Sequence, residues 1–199
     1  FVNVDGEKMS KSLGNFWTIR DAFEHHEPLA LRYALLSVPY RNPIDLTPEF
    51  LEDAITHFNR LVRAYGESLS SDSESGADLS GASERFTAAM DDDFNTRAAM
   101  IEVQAVVSSA TGSDVAAWLE GHAGNVLGLL PSSEDVIAGL ARADSARAEV
   151  ADRIEALLAE RESARDSKDW ARADEIRDEI ASMGAVVEDG PDGPTWHLD

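Results

Sequence analysis

Apolar and polar positions alternate at both ends of the chain and follow helical spacing between them. "FVNVDG", Phe1 to Gly6, alternates and then breaks at Asp-Gly, which predicts a strand and a turn. In "TIRDAFEHHE", Ile19, Ala22, Phe23 and His26 fall at helical spacing, with Thr18 placed as N-cap and Asp21 at the third helical position. Pro28 opens a second helix that must end before Pro39, because the residue before a proline is pushed out of the α region. Thr47 and Pro48 open a third, running to about Tyr65 with Leu51, Ala54, Phe58 and Leu61 on its apolar face. Residues 66–83, rich in Ser, Gly and Asp, read as a flexible loop. Helices follow around "DDDFNT", over "SDVAAWLEGHAGNVLGLL" as far as Pro131, and over "ARAEVADRIEALLAERESARDSKDW", whose seam is Val150, Ile154, Leu157 and Leu158. One more helix stops at Gly184, and "AVVEDGPDGPTWHL" predicts a hairpin. The expected fold is mainly α, with a little β at each end.

Composition changes this picture in three ways. The net charge is −21 over 199 residues, which argues against a broad surface for nucleic acid or anionic membranes. Acids are spread along the chain and the bases are nearly all arginine, a pattern expected of adaptation to high salt, where a Debye length of ~3 Å screens carboxylate repulsion; an ordinary acidic protein is the alternative. There is no cysteine, so disulfides and thiolate metal sites are excluded, and a cytoplasmic location is the expectation. No apolar run reaches the ~18 residues of a membrane span. The chain opens on a strand pattern without an initiator methionine, so a C-terminal fragment of a longer protein is expected.

Lysine is almost absent, yet two of the three lysines sit in one polar loop, Lys8-Met9-Ser10-Lys11-Ser12, after a strand and turn and before Leu-Gly-Asn. A Lys-x-x-Lys pair alone would be solvated surface. The whole string, in this context, resembles the KMSKS motif of class I aminoacyl-tRNA synthetases. "GEKMSKSLGNFWTIRDAF…PLALRYALLSVPYRNPIDLT", "AMDDDFNT" and "SKDWARADEIRDEIASMGAVVEDGPDGPTWHL" narrow the resemblance to the cysteinyl-tRNA synthetase family. It covers nearly the whole chain and is weakest in the Ser-rich loop and over 111–143.

The resemblance implies an enzyme, a cysteine–tRNA ligase that uses ATP with Mg²⁺ and binds cysteine and tRNA(Cys), acting as a monomer. Residues 1–46 would be the end of the catalytic domain and a stem-contact region, 47–131 a helical bundle, and 132–199 the anticodon-binding domain. Lys8 and Lys11 would be the catalytic residues, and Lys8 through Ser12 the ATP-binding loop. Charges offered only to the transition state lower a barrier, and lysine is a compact charge on a mobile stem. Arg165, Trp170, Asp174, Asp189 and Trp196 match the family's anticodon-reading positions. Carboxylates can accept from base amino groups, and indole or guanidinium planes can stack on bases.

The family's His-x-Gly-His motif and zinc-bound cysteine pocket have no match in the sequence, so these residues alone are expected to be inactive, with zinc held elsewhere in the full-length enzyme. His25, His26, His57, His122 and His197 show no shared ligand spacing. Asp91 to Asp93 lack the further acids and glycine of a calcium loop, and Asp93 or Asn95 is expected to cap a helix instead. The mycothiol-pathway cysteine ligase shares the lysine loop but lacks such a tail, and a non-catalytic tRNA-binding or helical interaction module is the other alternative.

Overall fold

The structure is a computed structural model. It describes every residue except Phe1, Asp5, Lys11, Leu13, Pro191, Asp192 and Asp199; the side chains of Glu188, Asp189 and Leu198 also lie outside the description. The described chain is mainly helical and forms two compact units, Phe1–Leu140 and Ala141–Asp199. No described helix is long and apolar enough to cross a membrane.

The first unit opens with β1 (Val2–Val4) and β2 (Glu7–Lys8), antiparallel, with Asn3 opposite Lys8. The turn between them needs a left-handed residue, and Gly6 supplies it at φ 79°. β3 (Ile44–Asp45) pairs parallel with β1, giving the order β2-β1-β3. α1 (Ile19–His25) starts with the expected capping box: Asp21 N–H donates to Thr18 Oγ1 at 3.1 Å and Thr18 N–H donates to Asp21 Oδ2 at 2.8 Å. The helical spacing is therefore as read, but the stripe has no cover, and no residue of α1 is buried.

α2 (Pro28–Leu36) starts on Pro28 and is capped by Glu27, whose carboxylate accepts from Ala30 N–H at 3.0 Å. α3 (Pro48–Leu69) has the Thr47 cap and extends one turn past Tyr65, because Gly66 and Ser68 face inward and are buried. A Cβ on Gly66 would run into Leu140 and Val136, so the glycine makes room for a neighbouring helix. The Ser-rich connection therefore shrinks from 66–83 to 70–78, since α4 (Leu79–Asp91) begins early on the Asp78 cap. The connection is also tied down: Ser75 donates from its N–H and hydroxyl to Asp114, at 2.8 and 2.7 Å.

α5 (Thr96–Ser109) is capped by Asn95, whose side chain accepts from Ala98 N–H at 3.2 Å. Asp93, the other cap candidate, points away and binds Arg41 Nε at 2.7 Å and Tyr40 Oη at 2.8 Å. Asp93 and Phe94 both take left-handed φ values, 52° and 54°, so the chain reverses within two residues. α6 (Ser113–Leu119) ends in a wide turn, Glu120–Gly124, where Asn125 N–H bonds Glu120 O five residues back. The core gathers Tyr33, Leu51, Phe58, Leu61, Val103 and Leu119 among others; each is at most 5 % exposed. Truncating one such leucine to alanine costs about 2–5 kcal/mol.

α7 spans Ser133–Asp166, and residues 141–149 along it are exposed on every face. The second unit adds α8 (Trp170–Ser182), β4 (Ala185–Gly190) and β5 (Gly193–Leu198). Its core is Ile154, Leu157 and Leu158 from α7, Ile176 and Ile180 from α8, and Ala185, with Val150, Met183, Val187 and Trp196 packed at the edge. Gly184, at φ 77°, ends α8 and turns the chain into the hairpin.

Candidate ATP loop and nucleic-acid interface

The lysine loop hangs from the edge strand of the three-stranded sheet. Met9 N–H donates to Val2 O at 3.1 Å, and Gly6 N–H donates to Asp45 Oδ1 at 3.1 Å, so strand pairing holds the loop's entry. Its exit is held by Asn15. The Asn15 amide accepts from Ser10 N–H at 2.9 Å and donates to Lys8 O at 3.4 Å, closing residues 8–15 into a ring. Inside it the Ser10 and Ser12 hydroxyls lie 3.2 Å apart. Lys8 and Ser12 are exposed, and Met9 and Ser10 are half-buried. An exposed lysine, two hydroxyls and a polar backbone in one short loop are donors of the kind a polyphosphate takes. Lys11 lies outside the described residues.

An apolar groove of about 470 Å³ adjoins the loop at Met9, with Trp17, Ile19, Phe23 and Leu35 in its walls. All four are exposed, Ile19 at 72 %. Nothing in the sequence marked this face as open, because period alone cannot say whether an apolar stripe has a partner.

In the second unit α7 ends in a tight reversal. Lys168 takes a left-handed φ of 62°, its N–H bonds Arg165 O at 3.0 Å, and Asp169 N–H bonds Ala164 O at 2.8 Å. Asp169 then caps α8 through Arg172 N–H at 3.1 Å. Arg165 is exposed at one side of this reversal. Trp170 follows it as the first residue of α8 and is 60 % exposed, so it is not a core residue. Asp174 is exposed one turn on, sharing the Trp170 face by its i,i+4 spacing.

Trp196 differs. It lies opposite Val187 in the hairpin, packs at the edge of the core, and donates from Nε1 to Glu155 Oε1 at 2.8 Å. Its indole is half committed to the fold. Asp189 pairs with Pro194 in the hairpin, and its side chain lies outside the described residues. The arginine near Trp170 is spoken for: Arg172 binds Glu160 at 2.8 Å and Glu175 at 3.0 Å, and these carboxylates push its guanidinium above its ordinary value.

The residues present do not fit a zinc centre. The sequence has no cysteine, and among the described residues no three His, Asp or Glu side chains converge. His57 bonds the Asp53 carbonyl through Nδ1 at 2.7 Å, and His122 stacks on Trp118 with ring centroids 4.2 Å apart.

Comparison with known proteins orders these features. A family model described as the class I (C) tRNA synthetase catalytic domain matches residues 1–56, and one described as the cysteinyl-tRNA ligase anticodon binding domain matches residues 147–196. The cysteine–tRNA ligase of Laribacter hongkongensis is 40% identical over 201 residues, which is 98% of this chain and 43% of that protein. That of Azotobacter vinelandii is 41% identical over 206 residues, 99% of this chain and 43% of the relative. These matches liken the chain to the cysteinyl-tRNA synthetases. It spans less than half the length of these relatives and matches their C-terminal part. Within the family frame, Lys8–Ser12 falls in the catalytic-domain match, and Arg165, Trp170, Asp174, Asp189 and Trp196 fall in the anticodon-binding match. Residues 57–146 are covered by neither model.

Proposed function

We propose that the chain is the ATP-loop and tRNA-reading part of a cysteine–tRNA ligase, an enzyme that activates cysteine with ATP and joins it to tRNA(Cys). The carrying observation is the pairing, in one polypeptide, of a clasped Lys8–Ser12 loop with a helix-hairpin unit, each within a match to a different part of that family. On this reading residues 1–46 close the catalytic domain and touch the stem, 47–131 form the bundle, and 132–199 read the anticodon. The enzyme is a cytoplasmic monomer adapted to high salt, supported by the −21 net charge carried almost wholly against arginine.

ATP, with Mg²⁺, supplies the phosphoryl group that cysteine's carboxylate attacks. This chain contributes ammonium groups. Lys8 and Lys11 bind the phosphates and the departing pyrophosphate as charge builds there, and Ser10 and Ser12 offer hydroxyl donors. The Asn15 clasp keeps the two ends of the loop in place while its middle closes and reopens. Arg165, Trp170, Asp174, Asp189 and Trp196 meet the anticodon by stacking and base-edge hydrogen bonds, which are short-ranged and outlast screening by salt.

The test is Lys11→Ala in the full-length enzyme. Loss of one transition-state contact should slow single-turnover adenylate formation about 10²–10³-fold while cysteine binding stays unchanged. An unchanged activation rate refutes the role of the loop.

A further inference from the structure

The entry of the lysine loop is fastened by a residue from a distant part of the chain. Gly6 lies in the turn between β1 and β2, outside the ladder, at φ 79°. Its N–H donates to Asp45 Oδ1, across 39 positions of sequence, at 3.1 Å. The turn is otherwise open: Gly6 is exposed, and a Cβ added there would meet nothing within 4 Å. The ladder beyond it is short, pairing Asn3 with Lys8 and Val4 with Glu7. A two-stranded ribbon of that length is marginal by itself, so the Asp45 bond is a large share of what fixes its direction.

Asp45 can hold the turn because its own place is set by the core. It follows Ile44, which is buried, and precedes Leu46, which packs against the core and donates its N–H to Asn3 O at 2.9 Å. Thr47 then caps α3. One carboxylate therefore ties an exposed turn to the start of a well-packed helix. Register places that carboxylate on the Lys8 side of the sheet. Asn3 pairs with Lys8 on β2 and with Asp45 on β3, so the three residues form one row across the strands. Residues paired in register share a face, and two strand spacings of ~4.8 Å separate the ends of the row.

We propose that Asp45 is a positioning residue for cysteine activation: by holding the Gly6 turn to β3, it fixes the direction in which Lys8, two residues on, meets the phosphates of ATP. The inference rests on the ATP-loop reading above and adds to it a residue outside the loop. The bond is exposed, so its loss should leave the melting temperature nearly unchanged. Rate is the sensitive quantity, because a misplacement of about 1 Å at a reacting centre can cost about 10²-fold.

The test uses the full-length enzyme. Asp45→Ala should slow single-turnover adenylate formation about 10- to 100-fold, the scale of a displacement approaching 1 Å. Cysteine affinity and melting temperature should stay as in the parent. Asp45→Asn, whose amide oxygen still accepts a hydrogen bond, should recover most of the rate. Because Asp45 acts through Lys8, Asp45→Ala should cost much less in a Lys8→Ala background than in the parent. An unchanged rate in Asp45→Ala overturns the inference; if Lys8→Ala is slow in the same assay, the ATP-loop reading stands without it. An Asp45→Asn protein as slow as Asp45→Ala also overturns it, since charge rather than the hydrogen bond would then matter. So do additive losses in the double variant. A lower melting temperature or weakened cysteine binding in Asp45→Ala overturns it too, because the residue would then serve the fold. Absence of cysteine-dependent adenylate formation by the parent enzyme overturns the proposed function and this inference with it.

Discussion

Trp170 and Trp196 differ in how far each is committed to the fold of the second unit, so replacing Trp170 by alanine should cost recognition alone, and replacing Trp196 should cost stability as well. Trp170 is 60 % exposed at the start of α8 and contributes little to the core. Its loss should change stability by no more than about 0.5 kcal/mol, the usual range for a surface substitution. If the indole stacks on a base, its loss should weaken binding of the anticodon hairpin by about 1–3 kcal/mol, or about 5- to 150-fold. Trp196 packs beside Val187 against the Ile154–Ile176 cluster and bonds Glu155. Complete removal of a buried tryptophan costs about 3–5 kcal/mol; a half-buried one should cost roughly 2–3 kcal/mol by the same measure. The unit runs from Ala141 to Asp199. A unit of that length has a stability of only about 3–9 kcal/mol, so the melting point of its transition should fall by at least about 10 °C. Thermal melts by circular dichroism and hairpin titration by fluorescence anisotropy, on the same samples, read both quantities. A folded Trp170→Ala protein with full RNA affinity, or a Trp196→Ala protein that melts normally, refutes the division.

Two further outcomes follow from charge. Raising KCl from dilute buffer to about 1 M shortens the Debye length from more than 10 Å to about 3 Å, so a chain at −21 should melt at higher temperature, with the steepest rise at low salt; a flat melting curve across the series removes the salt-adaptation reading. Hydrogen bonds from the Ser75 backbone and hydroxyl hold the Asp114 carboxyl below its ordinary value. Its folded state therefore binds a proton less readily than its unfolded state, so its stabilising effect is complete above about pH 4 and fades as pH falls through the folded value. Asp114→Asn should lower the melting point near neutral pH and lose that deficit in acid; a deficit constant with pH refutes the contribution.

Much of the fold was legible because its signals are local. Thr18, Thr47 and Gly184 act at the helix ends where their side chains or conformational freedom predict, and the Val150–Leu158 seam meets α8 as its period requires. The errors came from partners distant in sequence. Asp93 and Asn95 were both open as the cap of α5, and Asn95 takes the role while Asp93 is claimed by Arg41 and Tyr40, more than fifty residues away. Residues 66–69 looked like loop because Gly66 reads as a breaker, whereas close packing by Val136 and Leu140 makes glycine the fitting residue there. The lysine loop was visible as a string, but the Asn15 clasp was not, since a side-chain amide carries no sign of where it will bond.

The scarcity of lysine gives the molecule a built-in chemistry for labelling. Of three side-chain amines in the chain, Lys8 sits exposed on the clasped loop and Lys168 sits exposed on the left-handed reversal beside Trp170. An amine-reactive dye added to the unmodified protein would therefore report on the phosphate loop and the RNA-reading turn, with no engineered cysteine and no background from the helices between them. Lys168→Arg would silence the second reporter and keep its charge, leaving the loop lysines as the labelled side chains beside the α-amino group.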